Sequence, residues 1–280
     1  RGHETKTNHT YKTYCHILMV NRLITYLSEG SIFTSLEISE YNGKLSLFAL
    51  TLKKHKGELN VLNKINFEQF DQLRNHFKKN SPILLIINTS KVLTKQIENG
   101  ESSSPEATVN HVFPNLNLTS FYYEIVQEDS RPIISIVKKE YVQDTLDQLR
   151  NIGLAVSGIK LGVVPIISVL PYFSESEIFT SRNEIGLEDS TIKNINFLSQ
   201  RKSIDYNING IDLESEYILP FSQILGYLEQ TQNLSNFENF NLQLHSNVGN
   251  ARLFEKVSRG ALFFFLFLLL INFFAFDYYN

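Results

Sequence analysis

The alternation of apolar and polar positions is clearest over residues 33–67. Leu36, Ile38, Leu45, Leu47, Ala49 and Leu52 recur at a mostly two-residue period, the mark of strands whose side chains point to alternate faces. Asn42-Gly43 separates two such runs and predicts a hairpin turn. Lys56-Gly57 predicts a second, so three antiparallel strands are expected. Over residues 66–79 the period changes, with Phe67, Phe70, Leu73 and Phe77 at helical spacing. Residues 83–87 are continuously apolar, as in a strand buried on both faces. Residues 98–108 read as a loop, and residues 110–117 as a short helix or an irregular connection.

Farther along, residues 121–126 and 133–137 predict two strands paired across a turn. Residues 141–152 predict a helix with Val142, Leu146 and Leu149 on one face, ended by Gly153. Another strand is expected at 154–161 and a buried helix at 163–172, with Pro165 tolerated near its start. From Ser174 the composition is more polar, and residues 182–210 read as a meander of short strands. Residues 213–231 are helical in pattern, with Pro220 bending the helix or marking its boundary. Residues 233–259 form an Asn-rich connector. No repeat recurs at solenoid periods.

The last stretch breaks with all of this. Ala261, Leu262, Phe263, Phe264, Phe265, Leu266, Phe267, Leu268, Leu269, Leu270, Ile271, Asn272, Phe273, Phe274, Ala275 and Phe276 form a run with one polar member, Asn272. A bilayer core needs about 20 apolar residues, with roughly 17 as a lower limit. Gly260 and the tyrosines beyond Asp277 extend the run, since tyrosine settles at the headgroup level. These sixteen residues are the expected membrane anchor. Arg252, Lys256 and Arg259 precede the run and no basic residue follows it, which places the N-terminal side in the cytoplasm. The alternative is a buried C-terminal core helix, but phenylalanine and leucine on every face suit lipid better. Asn272 has two readings: a hydrogen bond to a neighbouring helix, or one within its own.

Composition narrows the rest. The 280 residues carry a net charge of −3, with no basic excess, so nucleic acid is not expected as a partner. Cys15 is the only cysteine, so no disulfide can form within the chain, which fits a reducing compartment. The N-terminus shows no signal-peptide core. Met19 is the only methionine, so translation is expected to begin there and residues 1–18 to be a non-native or disordered tail. Cys15, His3, His9 and His16 fall in that tail, where nothing supplies the frame a metal site needs.

This order of elements resembles the actin-like cytoplasmic domains of the PilM and GspL families, from type IV pilus and type II secretion assembly platforms. The most specific match is "IISIVKKEYVQDTLDQLRNIGLAVSGIKLGVVPIISVLPYF" (residues 133–173), a strand, a helix, "GL.V", a strand and a helix. "TSLEISEYNGKLSLFAL" (residues 34–50) matches the opening hairpin. The resemblance spans about residues 34–228 and includes no catalytic motif. It implies a mixed α/β, actin-like (ribonuclease H-like) two-lobed cytoplasmic domain with one C-terminal transmembrane helix. The expected division is a tail at 1–18, a first lobe at 19–173, a second at 174–232, a connector at 233–259 and the transmembrane helix at 260–279. PilM-like proteins are peripheral, whereas GspL-like proteins have this order of domain and helix. A GspL-like chain usually continues into a small periplasmic domain; here either that domain is absent, or it lies in a part of the natural protein beyond this sequence.

The resemblance implies a bacterial inner-membrane scaffold whose partners are a secretion or pilus-type ATPase and bitopic platform subunits of the PilN/PilO or GspM kind. A homodimer stays open. Two rivals remain: an active actin-like ATPase akin to FtsA, and an unrelated membrane-tethered binding module. FtsA-like proteins end in an amphipathic helix that lies on the membrane.

Actin-like ATPases hold phosphates between two hairpins that need small residues, so that backbone N–H groups can approach the oxygens. Here the first offers "SLEISEYNGK", with Glu37 where an Asp is typical and Ser39, Glu40 and Tyr41 adding bulk and charge. The second offers "NEIGLEDST", where Asn183 or Glu184 replaces an Asp and Glu188-Asp189 repels phosphate. The late "GG" turn is not visible near residues 219–227. No turnover and no cofactor are therefore expected, with weak nucleotide binding left open. No G-x-x-x-x-G-K-[ST], H-E-x-x-H, C-x-x-C or G-x-S-x-G occurs. His55, His76, His111 and His245 are scattered, Glu214/Glu216 reads as a solvated helix face, and the basic "LKKHKGE" as a solvated hairpin end. No catalytic or metal-binding residue is assigned.

Overall fold

Both hairpin turns form where the pattern puts them. Asn42 and Gly43 have φ of 50° and 73°, and Lys56 and Gly57 have 52° and 92°, the left-handed pair that matches strand twist. The computed structural model describes residues 30–97, 104–126, 131–231 and 233–279; the tail expected at 1–18 lies outside them. The turns join β1 (Ile32–Tyr41), β2 (Lys44–His55) and β3 (Glu58–Phe67). Helix α1 (Phe70–His76) is shorter than expected, because Phe77 is already extended and its N–H closes on Leu73 O. Next come β4 (Ser81–Asn88) and β5 (Leu93–Gln96).

Part of the expected loop is helical. Ser104 caps α2 (Pro105–Val112), its Oγ accepting the Ala107 N–H at 3.2 Å, and Pro105 sits in the first turn, where its missing N–H costs nothing. Strands β6 (Phe121–Val126) and β7 (Ile133–Lys138), helix α3 (Lys139–Asn151) and β8 (Leu154–Leu161) follow as expected. Gly153 ends α3 with φ 86°. The buried helix expected at 163–172 is instead two 3-10 turns, Val164–Ser168 and Leu170–Tyr172. Pro171 explains this, since an interior proline removes a helix donor and clashes with the preceding turn.

After residue 174 come β9 (Glu177–Phe179), β10 (Asn183–Glu188), β11 (Thr191–Phe197), β12 (Asp205–Ile208) and β13 (Ile211–Glu214). Helix α4 (Ile218–Glu229) starts two residues before Pro220, so the proline marks a boundary. β14 (Leu234–Ser235) and α5 (Glu238–Tyr279) complete the described chain.

The main sheet runs β3-β2-β1-β4-β8. β1–β2 and β2–β3 are antiparallel; β1–β4 and β4–β8 are parallel. This is the ribonuclease H-like order that an actin-like lobe requires, on a mixed α/β chain. A second sheet runs β14-β6-β7-β5, and smaller sheets run β11-β10-β9 and β12-β13.

The main sheet is covered on both faces. Leu36, Ile38, Leu85 and Ile87 pack with Val142, Leu146 and Leu149 of α3. Phe33, Leu50, Leu84 and Ile86 pack with Ile178, Ile185, Leu219 and Ile224. The boundary at 173/174 is thus a change of sheet and not of core, and residues Ile32–His245 form one compact unit. The described residues from Ser246 onward belong to a second unit.

The Asn-rich connector is not a plain linker. Most of it is the first part of α5, and its asparagines close two sheet edges. Asn236 Oδ1 accepts the Tyr123 N–H and its Nδ2 donates to Phe121 O, both at 2.9 Å, extending the ladder that β14 begins on β6. Asn241 Oδ1 accepts the Ile159 N–H at 2.9 Å and its Nδ2 donates to Ile159 O at 3.1 Å, on edge strand β8. A carboxamide presents one donor and one acceptor side by side, as a neighbouring strand does. Asn241→Ala strips both bonds from Ile159. It is expected to cost about 1–3 kcal/mol, read as a lower urea midpoint, with faster amide exchange at Ile159.

Candidate functional site

Strand β1 carries two different faces. Leu36 and Ile38 enter the core shared with α3, whereas Ser35, Glu37 and Ser39 project oppositely and are all 0% exposed. Buried polar groups need partners, and these find them far along the chain. Ser35 Oγ donates to Gln223 Oε1 at 2.6 Å, and Gln223 Nε2 donates to Leu85 O at 3.0 Å, which ties α4 to β1 and β4. Glu37 Oε1 accepts from Ser181 Oγ at 2.5 Å and from Asn88 Nδ2 at 2.9 Å. The Ser39 and Ser181 hydroxyls lie 3.0 Å apart.

Local rules place the partners. Asn88 ends the apolar strand β4, in register with Ser39. Ser181 lies in the turn between β9 and β10. Thr180 holds that turn by donating its N–H to Asn183 O at 2.8 Å and accepting the Asn183 N–H on Oγ1 at 3.0 Å. The Asn88 and Asn183 side chains approach to 3.4 Å.

Two cations and two carboxylates set the electrostatics. Glu37 Oε2 is buried without a partner among the described residues. Burial pushes the Glu37 carboxyl up to about 7, against the opposing pull of Ser181, Asn88, Arg201 and Arg182. Arg182 lies over the Phe197 ring at 4.7 Å and donates to Asn88 O at 3.4 Å; burial lowers its pKa. Arg201 lies over the rings of Tyr41 and Phe48, at 5.3 and 5.4 Å, and donates to Ser46 Oγ at 3.2 Å. Glu40 accepts from Ser90 Oγ at 2.6 Å and from the Ser90 N–H at 3.2 Å, and the hydroxyl bond holds its carboxyl below the usual range.

The two expected phosphate turns therefore do meet, with Glu37 from the first and Asn183 from the second joined through Asn88. Glu184 stands apart in β10, and Glu188-Asp189 forms an exposed turn in which Glu188 pairs with Lys193 at 3.5 Å. The sequence reading missed Asn88, Ser181, Arg182 and Arg201. Only Asn88 carries a local signal, as the polar residue closing an apolar strand. Ser181 and Asn88 bond to Glu37, and Ser90 bonds to Glu40. A carboxyl near 7 has the poise of a general base, but Glu37 is enclosed on all sides. Among the described residues no group of three or more His, Cys, Asp or Glu is placed to hold a metal.

The expected membrane anchor, Ala261 to Phe276, lies wholly within α5 and is exposed along its length. Phe263 is 72% exposed and Phe274 60%, so the buried-core alternative does not fit. By length and composition α5 is long and apolar enough to cross a membrane. Asn272 lies within this exposed stretch.

No protein-family model and no curated protein matches this chain. Among solved structures it is similar to the cytoplasmic domain of EpsL, an inner membrane component of the type II secretion system of Vibrio cholerae. That similarity has 10% identity and a TM-score of 0.40, and covers 57% of this chain and 69% of that one. It is also similar to a PilM-PilN type IV pilus biogenesis complex, at 11% identity and a TM-score of 0.43, covering 84% and 77%. A Bacteroides thetaiotaomicron protein with an actin-like ATPase fold is similar at 12% identity and a TM-score of 0.34, covering 60% and 71%.

The raised carboxyl gives a pH test. Because the folded pKa of Glu37 lies above its ordinary 4.5, the folded chain binds the proton more tightly than the unfolded one. The stabilisation is complete below about pH 4.5 and is lost as pH rises through about 7. A shift of this size is worth on the order of 3 kcal/mol. Glu37→Gln keeps an acceptor for Ser181 and Asn88 but cannot ionise. Urea melts of the detergent-solubilised chain are expected to show the variant gaining on the parent as pH rises from 5 to 8.

Proposed function

We propose that this chain is a non-enzymatic, membrane-anchored scaffold of a type II secretion or type IV pilus-like assembly platform in the bacterial inner membrane. The observation that carries this reading is the closed polar cluster. In this reading Glu37 takes the place where an actin-like ATPase would receive phosphate, which is supported by the bonds from Ser181 and Asn88 to its carboxyl. The ribonuclease H-like sheet order and the sequence motifs at 34–50 and 133–173 support the assignment to this kind of platform. The exposed apolar helix supports a single-pass anchor, with the N-terminal side cytoplasmic by the positive-inside rule.

In this reading the folded body docks a secretion or pilus-type ATPase, and α5 ties it to bitopic subunits of the PilN/PilO or GspM kind. Force from the ATPase passes through protein contacts, so no catalytic residue is required.

The full chain, tagged and gently solubilised from its native membrane, is expected to bring down a hexameric ATPase together with small bitopic proteins. Alkaline carbonate should leave the parent in the membrane and release a chain lacking residues 260–279. Purified protein with magnesium and ATP is expected to show no turnover. ATP hydrolysis that Glu37→Gln abolishes would overturn the scaffold reading in favour of an active ATPase.

A further inference from the structure

We propose that the outer edge of β3 is a docking site for a short, acidic, extended segment of a partner protein, which adds to the main sheet as a further strand. The proposal rests on the sheet alone and does not depend on the scaffold reading.

The main sheet ends in β8 on one side and in β3 on the other. Asn241 occupies the β8 edge at Ile159. Nothing does the same for β3. Among the described residues, no backbone N–H or C=O of its ten residues bonds outside the ladder with β2. A row of such groups is a template for another strand. Proteins guard an edge of this kind with proline, a free lysine, a bulge or a short strand. β3 has no proline. Its one lysine, Lys64, is drawn aside into an ion pair with Glu214 at 2.6 Å.

The guard that remains is a bulge. Thr51 pairs with Asn63 and Leu52 with Val61, so Leu62 is the extra residue, and it stands 51% exposed. A bulge bends the strand and interrupts regular pairing. It therefore disfavours a long, flat strand and leaves a place for a short one along residues 58–61. There Leu59 and Val61 are half-buried against the core that holds Leu50 and Ile178. An added strand with apolar side chains at alternate positions covers what they still expose.

Charge selects the occupant. Lys53, Lys54 and Lys56 are exposed around the turn that joins β2 to this half of β3. Among the described residues, none of their ammonium groups makes an ion pair or a hydrogen bond. Glu58 is the acid nearest to them, and it faces His55 across the ladder. A segment that carries carboxylates matches this excess of positive charge. An anionic bilayer would also attract the lysines, but a headgroup offers no strand to the β3 backbone. A second copy paired along residues 58–61 would bring two sets of these lysines close together.

Amide hydrogen exchange on the full, detergent-solubilised chain tests this, with a blocked seven-residue probe peptide of alternating valine and glutamate. The probe is expected to slow exchange within residues 58–61 at least threefold and to leave the central strand β4 unchanged. A probe N-methylated at alternate amides should have no effect, because it cannot donate to the ladder. Replacing the probe's glutamates by lysines should weaken binding about tenfold. A chain carrying Lys53→Glu, Lys54→Glu and Lys56→Glu together, all at exposed positions, is expected to prefer the lysine probe. No slowing at residues 58–61, equal slowing by the methylated probe, or equal binding of the two charge forms would each overturn the proposal. So would slowing at residues 53–56 that needs phosphatidylglycerol vesicles and no probe, which marks a membrane contact. Slowing at β3 that grows with chain concentration and needs no probe would overturn it in favour of a second copy.

Discussion

The buried polar face of β1 is the constraint on which the rest of the fold turns. A central strand covered on both sides normally carries apolar residues on both. Here Ser35, Glu37 and Ser39 occupy one side with no exposure at all. Unpaired, each would cost a large part of the chain's marginal stability. The partners, Gln223, Ser181 and Asn88, come from α4, from the β9–β10 turn and from the end of β4. Satisfying one strand therefore fixes where the meander and α4 must dock, and the apolar core of Leu50, Leu84, Ile185 and Leu219 closes around that arrangement.

The same cluster decides how the site reads chemically. Its donors are directed at the chain's own carboxylates. Ser181 and Asn88 bond to Glu37, Ser90 bonds to Glu40, and Arg182 and Arg201 lie against aromatic rings. These side chains bind one part of the chain to another.

A second polar network lies between β6 and β8. Glu124, 1% exposed, accepts from Lys160 Nζ at 2.5 Å, from Asn233 Nδ2 at 3.0 Å and from the Leu161 N–H at 3.2 Å. With Asn236 and Asn241 it joins β6, β8 and the start of α5. The residues that look least structured by composition thus hold β6 and β8 to the first turn of α5.

Much of this was legible in the sequence, and the reason is local. Asn42-Gly43, the period change at Asn66 and the glycine stop at Gly153 act within a few residues, so turns, strands and α3 were determined by neighbours alone. The apolar run was determined likewise, since hydrophobicity needs no fold to be read. Where reading failed, it was either a local signal outweighed by composition, as with Ser104-Pro105 at the start of α2, or a second proline, as with Pro171. Only the tertiary structure decided that Glu37 would be buried and bonded to Ser181, 144 positions away, and that the asparagines of the supposed connector would act as strand edges. Such pairings depend on which surfaces the packed sheets bring together, and no period or motif along the chain encodes that.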